Sequence, residues 1–314
     1  MRILKDFKIK REVDLIYAKR EIGEFLKKIN YFHIDFLLFA TMEFGTNILK
    51  HAKSGEIWLL EHKKELYLAA LDNGPGVIDA KWCIKKGTTT YKNSLGLGLY
   101  SLTKNEYFEL EIFSRLFKGS VFLLKPKGEY KNICFQKPYI HERFLGDVIV
   151  KRDEFTLFAD VSGHGKRAWE SGEFIKEIFL KYPKKFLFSE DFFKFLHLEI
   201  KKYNYRSAVV GIIKESEEFI EIIGVGDIEI FSKQEGKVFR HFLKAGILGE
   251  IYYHTNYLKF NKKNSKIILV TDGIDDYIVK DFLDKKISNE LLAISSVFYS
   301  KRTDDKSILI LGER

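Results

Sequence analysis

Two apolar, strand-length runs in this chain each stop on an aspartate set in a glycine-rich turn. Glu65-Leu66-Tyr67-Leu68-Ala69-Ala70-Leu71 runs into Asp72-Asn73-Gly74-Pro75-Gly76, and Glu154-Phe155-Thr156-Leu157-Phe158-Ala159 runs into Asp160-Val161-Ser162-Gly163-His164-Gly165. Such runs, bounded by turn residues, read as buried strands. A carboxylate at the open end of a strand, beside backbone that glycine lets approach closely, suits ligand contact better than packing. The two turns lie far apart and differ in composition, which points to two sites. At 314 residues, two domains are the natural expectation. With 46% hydrophobic residues and 28 Phe, each half has enough apolar surface for its own core.

Composition narrows the function classes. No apolar run reaches the roughly 18 residues that a membrane span needs, and Met1-Arg2-Ile3-Leu4-Lys5-Asp6 lacks the apolar stretch of a signal peptide. Cys83 and Cys134 are too few for a disulfide scaffold, so a cytoplasmic protein without a membrane role is expected. The net charge of +9 raises the question of nucleic acid, but the lysines are scattered in doublets and triplets without a long block. A solvated basic surface, with a mild preference for acidic partners or phosphoproteins, accounts for the charge without nucleic-acid binding.

The first segment, to about residue 133, reads as helices and then strands. A helix is expected over Ile34 to Ala52, a hairpin over residues 56–71, a second helix from about Leu95 and another hairpin over residues 108–125. The polar stretch Lys125-Pro126-Lys127-Gly128-Glu129 is the expected linker, giving domains of 1–130 and 131–314. Beyond it come strands at 146–150 and 154–159, helices at 166–181 and 189–203, and strands near 206–213, 218–223, 227–232, 266–271 and 307–311. The fold class is α+β, in two domains.

In the first domain, Glu43 and Asn47 are four residues apart and share one helix face. Gly45 between them lowers helix propensity, which suits a helix that a ligand approaches closely. The Asn47 carbonyl oxygen can ligate Mg2+, and Glu43 can accept a proton; an ordinary solvated face explains the pair equally well. Asp72 can accept a hydrogen bond from an exocyclic amine such as adenine's, although Asp-Asn-Gly is also common turn chemistry. Lys86-Gly87-Thr88-Thr89-Thr90 and Ser94-Leu95-Gly96-Leu97-Gly98-Leu99 form a glycine-rich loop opening a helix, a place for phosphates.

The order Glu43-Phe44-Gly45-Thr46-Asn47, Asp72-Asn73-Gly74-Pro75-Gly76, Gly96-Leu97-Gly98 resembles the GHKL (Bergerat) ATP-binding fold, and within it the small serine kinases of bacterial sigma-factor control, of the RsbT and RsbW kind. The resemblance covers about residues 8–125. It implies that Asn47 holds Mg2+, Asp72 reads adenine, Gly74, Gly76, Gly96 and Gly98 shape the phosphate loop, and Glu43 activates a substrate hydroxyl. Kinases of this kind often pair, so it also implies a candidate homodimer.

In the second domain Asp147, Asp160, Asp272, and Asp304 with Asp305, all stand at ends of expected strands. Carboxylates gathered in this way can hold two divalent ions that generate a hydroxide and clamp a phosphoryl group. Gly146-Asp147, Ala159-Asp160-Val161-Ser162-Gly163-His164-Gly165, Thr271-Asp272-Gly273-Ile274 and Thr303-Asp304-Asp305 resemble the PPM metal-dependent serine/threonine phosphatases, in their SpoIIE/RsbX branch. The resemblance covers about residues 138–314 and implies an αββα sandwich. By it, Asp160, Asp272, Asp304 and the Val161 carbonyl ligate Mg2+ or Mn2+, Asp147 serves a second ion, and Asp160 and Asp272 are catalytic. Leu145 stands where the family usually has a further glycine. His164 is either a proton donor or a loop-stabilising residue, and Arg143 either meets the incoming phosphate or is a plain surface residue.

The expectation is a phosphatase acting on Ser or Thr of a partner protein, coupled to an ATP-binding, serine-kinase-like domain. By resemblance the partner is a STAS-domain phosphoprotein or another sigma-factor regulator. The alternative is an ATP-binding, anti-sigma-type module that sequesters a partner with little or no catalysis.

Overall fold

The computed structural model describes residues 1–85, 97–128, 130–140, 142–243, 245–263 and 265–312, without the side chains at 80 and 81. The chain divides into two compact units, Met1–Glu129 and Tyr130–Arg314. Both mix helices with antiparallel sheets.

The first unit opens with β1 (Arg2–Ile9), followed by α1 (Glu12–Lys28) and α2 (Ile34–Asn47), which continues through a π-helical turn at Ile48–Ala52. β2 (Gly55–His62) and β3 (Glu65–Asp72) form a hairpin; after the short α3 (Ala80–Cys83) and α4 (Gly98–Leu102) come β4 (Phe108–Arg115) and β5 (Gly119–Pro126). The sheet order is β1-β2-β3-β5-β4. α1 buries Leu15, Ala18, Ile22 and Leu26, spaced three and four apart, and α2 buries Leu37, Ala40 and Phe44 on the same period. These stripes join Ile57, Leu59, Leu68 and Leu124 in one core. β1 is a strand where the sequence reading began with helices, because its alternation is broken by charged Lys5, Asp6 and Lys8 on a strand that, among the described residues, lies at the sheet edge and pairs with β2.

The second unit contains β6 (Ile133–Lys137), β7 (Val148–Arg152), β8 (Phe155–Val161), α5 (Lys166–Lys181), α6 (Glu190–Lys202), β9 (Ala208–Glu215), β10 (Phe219–Val225), β11 (Glu229–Gln234), β12 (Lys237–His241), β13 (Asn256–Asn261), β14 (Ser265–Val270), α7 (Asp276–Leu283), α8 (Asn289–Tyr299) and β15 (Lys306–Gly312). Two five-stranded sheets result, β13-β10-β9-β8-β7 and β12-β11-β14-β15-β6. Phe158, Ile213 and Ile222 from the first pack against Ile230, Ile267, Leu269 and Leu309 from the second. Each such side chain contributes about 1.5–3 kcal/mol by leaving water. The outer face of the first sheet is covered by α5 and α6 through Ile175, Phe179, Phe192 and Leu196. α7 and α8 lie on the second, against β11, β15 and β6. The layers therefore run helix, sheet, sheet, helix. Burial on both faces explains why Ile267-Ile268-Leu269-Val270 is apolar without alternation.

Candidate metal centre and nucleotide site

Antiparallel register assembles the acidic cluster of the second unit. β7 pairs with β8 so that Val148 faces Ala159, which sets Asp147, just before β7, beside Asp160 near the end of β8. β14 pairs with β15 so that Val270 faces Ile308, which sets Thr271-Asp272 beside the Asp304-Asp305 approach to β15. Hydrogen bonds then stitch one sheet's ends to the other's. The Asp272 N–H donates to Asp160 Oδ2 at 3.2 Å, Thr271 Oγ1 donates to Asp147 Oδ2 at 2.9 Å, and the Gly146 N–H donates to Asp305 Oδ2 at 2.6 Å.

The charges are poorly screened. Asp147 is buried, and desolvation followed by the neighbouring Asp160 raises its pKa well above the usual carboxylate range. Asp160 is pushed up to about 7, by desolvation first and then by Asp272, Asp304 and Asp305, against the lowering effect of the Asp272 N–H. Asp272 is raised by partial burial and by Asp304, and Arg302 opposes this. Partly buried carboxylates that repel one another fit a divalent cation, since oxygen donors are what such ions take. Among the described residues, no three His, Cys, Asp or Glu side chains close into a ready ligand set.

Asp304 and Asp305, equivalent in the sequence, take different roles. Asp305 is 2% exposed and spends its oxygens on the N–H groups of Tyr139, at 2.8 Å, and Gly146. Asp304 stays half-buried, with one oxygen accepting the Asp305 N–H at 2.8 Å. Val161 closes β8, buried opposite Ala208. Arg143 is exposed. Three supporting residues escaped the sequence reading. Thr271 bridges Asp147 and the Ser307 N–H, at 3.0 Å. Arg302 donates to the Asp272 carbonyl at 2.8 Å and to Asp275 at 3.2 Å. Glu142 faces His164 at 3.4 Å. Thr271 stands inside the Thr271-Asp272-Gly273-Ile274 motif, where the sequence reading gives it no role; Arg302 and Glu142 carry no sequence signal.

In the first unit, Glu43 on α2 is half-buried and desolvation raises its pKa, with Lys50 opposing. Its carboxylate lies against Gly98 at the start of α4, where a Cβ would come within 1.7 Å of Glu43 Oε2. Gly98 is thus required for the approach of Glu43. Gly45 does not face a ligand, contrary to the sequence reading. It faces α1, where a Cβ would meet Leu15 Cδ1 at 2.1 Å, so its small size serves helix packing. Asp72 is buried, and its Oδ1 accepts the Gly74 N–H at 2.8 Å. Gly74 packs on Ala52 in the π-helical turn, and Gly76, with φ of 74°, packs on the Arg115 carbonyl. The first contact brings the Asp72 turn up to Ala52, at the end of the π-helical turn that follows Asn47, the last residue of α2. Gly96 lies outside the described residues.

No protein-family description matches the chain, and no curated protein matches it. Among solved structures it is similar to RsbX in complex with magnesium, at 22% identity over 57% of this chain and 92% of that one, with a TM-score of 0.48. It is also similar to the S. agalactiae serine/threonine phosphatase, at 10% identity over 58% and 99%, with a TM-score of 0.48. A third similarity is to the Mycobacterium tuberculosis serine/threonine phosphatase PstP/Ppp, at 10% identity over 58% and 98%, with a TM-score of 0.45.

Proposed function

We propose that the chain is a phosphorylation-control protein whose second domain, residues 131–314, removes phosphate from Ser or Thr of a partner protein. The observation that carries this reading is the convergence of Asp147, Asp160, Asp272 and Asp304 at four strand ends, where desolvation and then neighbouring carboxylates raise the pKa values of Asp147, Asp160 and Asp272. Asp160, Asp272, Asp304 and the Val161 carbonyl would hold Mg2+ or Mn2+, with Asp147 serving a second ion. The bound ions would supply a hydroxide near neutral pH and neutralise charge on the phosphoryl group. Thr271 and Arg302 hold the Asp147 carboxylate and the Asp272 backbone in place. His164, in the turn after β8, stands on the exposed side as a candidate proton donor to the leaving seryl oxygen.

The first domain, residues 1–130, is read as a GHKL-type ATP site. Asp72 would read adenine, Asn47 would hold Mg2+, Gly74, Gly76, Gly96 and Gly98 would shape the phosphate loop, and Glu43 would take the proton from a substrate hydroxyl. By the resemblance, the partner is a STAS-domain phosphoprotein of a sigma-factor switch. A second reading, in which this domain mainly sequesters a partner, is favoured by the exposed apolar stripe of Val13, Ile16 and Tyr17 on α1.

The test is to mix the full chain with labelled ATP, Mn2+ and a STAS protein and follow label on the serine. Label that appears and is then released supports both activities. Label that never appears, with pre-phosphorylated protein still dephosphorylated, confines catalysis to the second domain. A phosphoserine stable at every Mn2+ and Mg2+ concentration overturns the phosphatase reading.

A further inference from the structure

The geometry points to Glu142 as the residue that positions His164, an inference that rests on the phosphatase reading above. His164 sits in the turn between β8 and α5 with its ring exposed. Its Nδ1 lies 3.4 Å from Glu142 Oε1, and the Tyr139 ring covers it with centroids 4.5 Å apart. Glu142 is itself anchored. Its N–H donates to the Tyr139 carbonyl at 3.0 Å, and the Tyr139 N–H donates to Asp305 at 2.8 Å, which ties this turn to the acidic cluster.

The Glu142 carboxyl group also lies against Gly165, where a Cβ would come within 3.2–3.4 Å of all three of its carboxyl atoms. Gly165 has φ of 79° and caps the 16-residue α5. The carboxylate therefore occupies the positive end of a helix, a favourable place for negative charge. Two features, a helix end and a neighbouring turn, fix where the carboxylate can sit, and its Oε1 lies against both Gly165 and His164.

An imidazole with Nδ1 toward a carboxylate carries its hydrogen on that nitrogen and presents Nε2 outward. Among the described residues, the groups facing the ring are Glu142, Tyr139 and, more remotely, Asp305. In hydrolysis, a water oxygen bonds to phosphorus and the bond from phosphorus to the seryl oxygen breaks, its electron pair staying on that oxygen. The seryl oxygen takes the Nε2 proton. The attacking water releases a proton to solvent, and His164 regains one from it. Glu142 acts through His164, keeping Nε2 aimed, so it is a positioning residue.

The test uses the full chain labelled with 15N-histidine, with His164 assigned by its absence in His164→Asn. In the wild type the His164 resonances should report hydrogen on Nδ1. In Glu142→Gln the tautomer balance should shift, while the other histidines hold. An unchanged tautomer overturns the inference. Hydrolysis with Mn2+ supplies the second readout. Glu142→Gln should lower kcat for phenyl phosphate roughly tenfold more than for p-nitrophenyl phosphate, whose leaving group needs little protonation. Equal losses on both substrates overturn the positioning role. A wild type as inactive as Asp272→Asn sinks the phosphatase reading and this inference's catalytic sense with it, and the nitrogen shifts then decide the pairing alone.

Discussion

The backbone N–H of Asp272 donates to Asp160 Oδ2 at 3.2 Å, tying the turn after β14 to the carboxylate near the end of β8 in the facing sheet. The Asp272 side chain takes no part in that bond and is exposed. Asp272→Asn should therefore keep the fold, with thermal stability unchanged or slightly raised by the loss of a like charge. Metal-dependent hydrolysis of a phosphoserine peptide should fall by roughly 100-fold or more. Melting curves and initial rates on the same preparation check both halves of this expectation.

Thr271→Val should act on stability and metal together. The hydroxyl donates to buried Asp147 and accepts the Ser307 N–H, so its removal leaves both without that partner. The expected cost is about 1–3 kcal/mol in urea unfolding. Calorimetric Mn2+ titration should show roughly 10–100-fold weaker binding, as for other residues that orient a ligand.

The carboxylate shifts give a pH signature in the metal-free protein. Asp160 is pushed up to about 7, and Asp147, Asp272 and Asp305 are raised too, so the folded state holds these protons more tightly than the unfolded chain does. Their contribution to stability is present below about pH 4 and is lost as pH rises toward 7. In chelator, Tm should fall across that window. Mn2+ takes the place of the protons, so it should raise Tm more at pH 7.5 than at pH 5.5. An equal Mn2+ effect at both values would disconnect the ion from these carboxylates.

Glu43→Gln should leave nucleotide affinity intact and lower phosphate transfer by roughly 100–10,000-fold, the range for loss of a general base. Gly98→Ala should impair the same step by another route, because the new methyl group would displace the Glu43 carboxylate. Fluorescent-nucleotide binding alongside transfer of label to a partner serine separates the two effects.

Long apolar runs and amphipathic periods were legible in the sequence. The helix at Lys166–Lys181 and the strands around Asp160 and Asp272 follow from them directly. β12 was missed because Lys237-Val238-Phe239-Arg240-His241 is a short, largely exposed edge strand, and α8 because it is buried on nearly every side and shows no polar face. The acidic strand ends could be picked out one by one. The register that sets Asp147 beside Asp160, and the division of labour between Asp304 and Asp305, depend on pairing between strands far apart in the chain. Gly45 misled because glycine in a helix signals close approach without saying of what, and here the neighbour is Leu15.

The most direct test is Mn2+ titration of the full chain and of Asp160→Asn, with release of phosphate from a phosphoserine protein followed in the same samples. Saturable Mn2+ binding that tracks hydrolysis, with both abolished in Asp160→Asn, is the expected result. Hydrolysis that survives that substitution, or Mn2+ binding unaltered by it, would contradict a metal centre built on these strand ends.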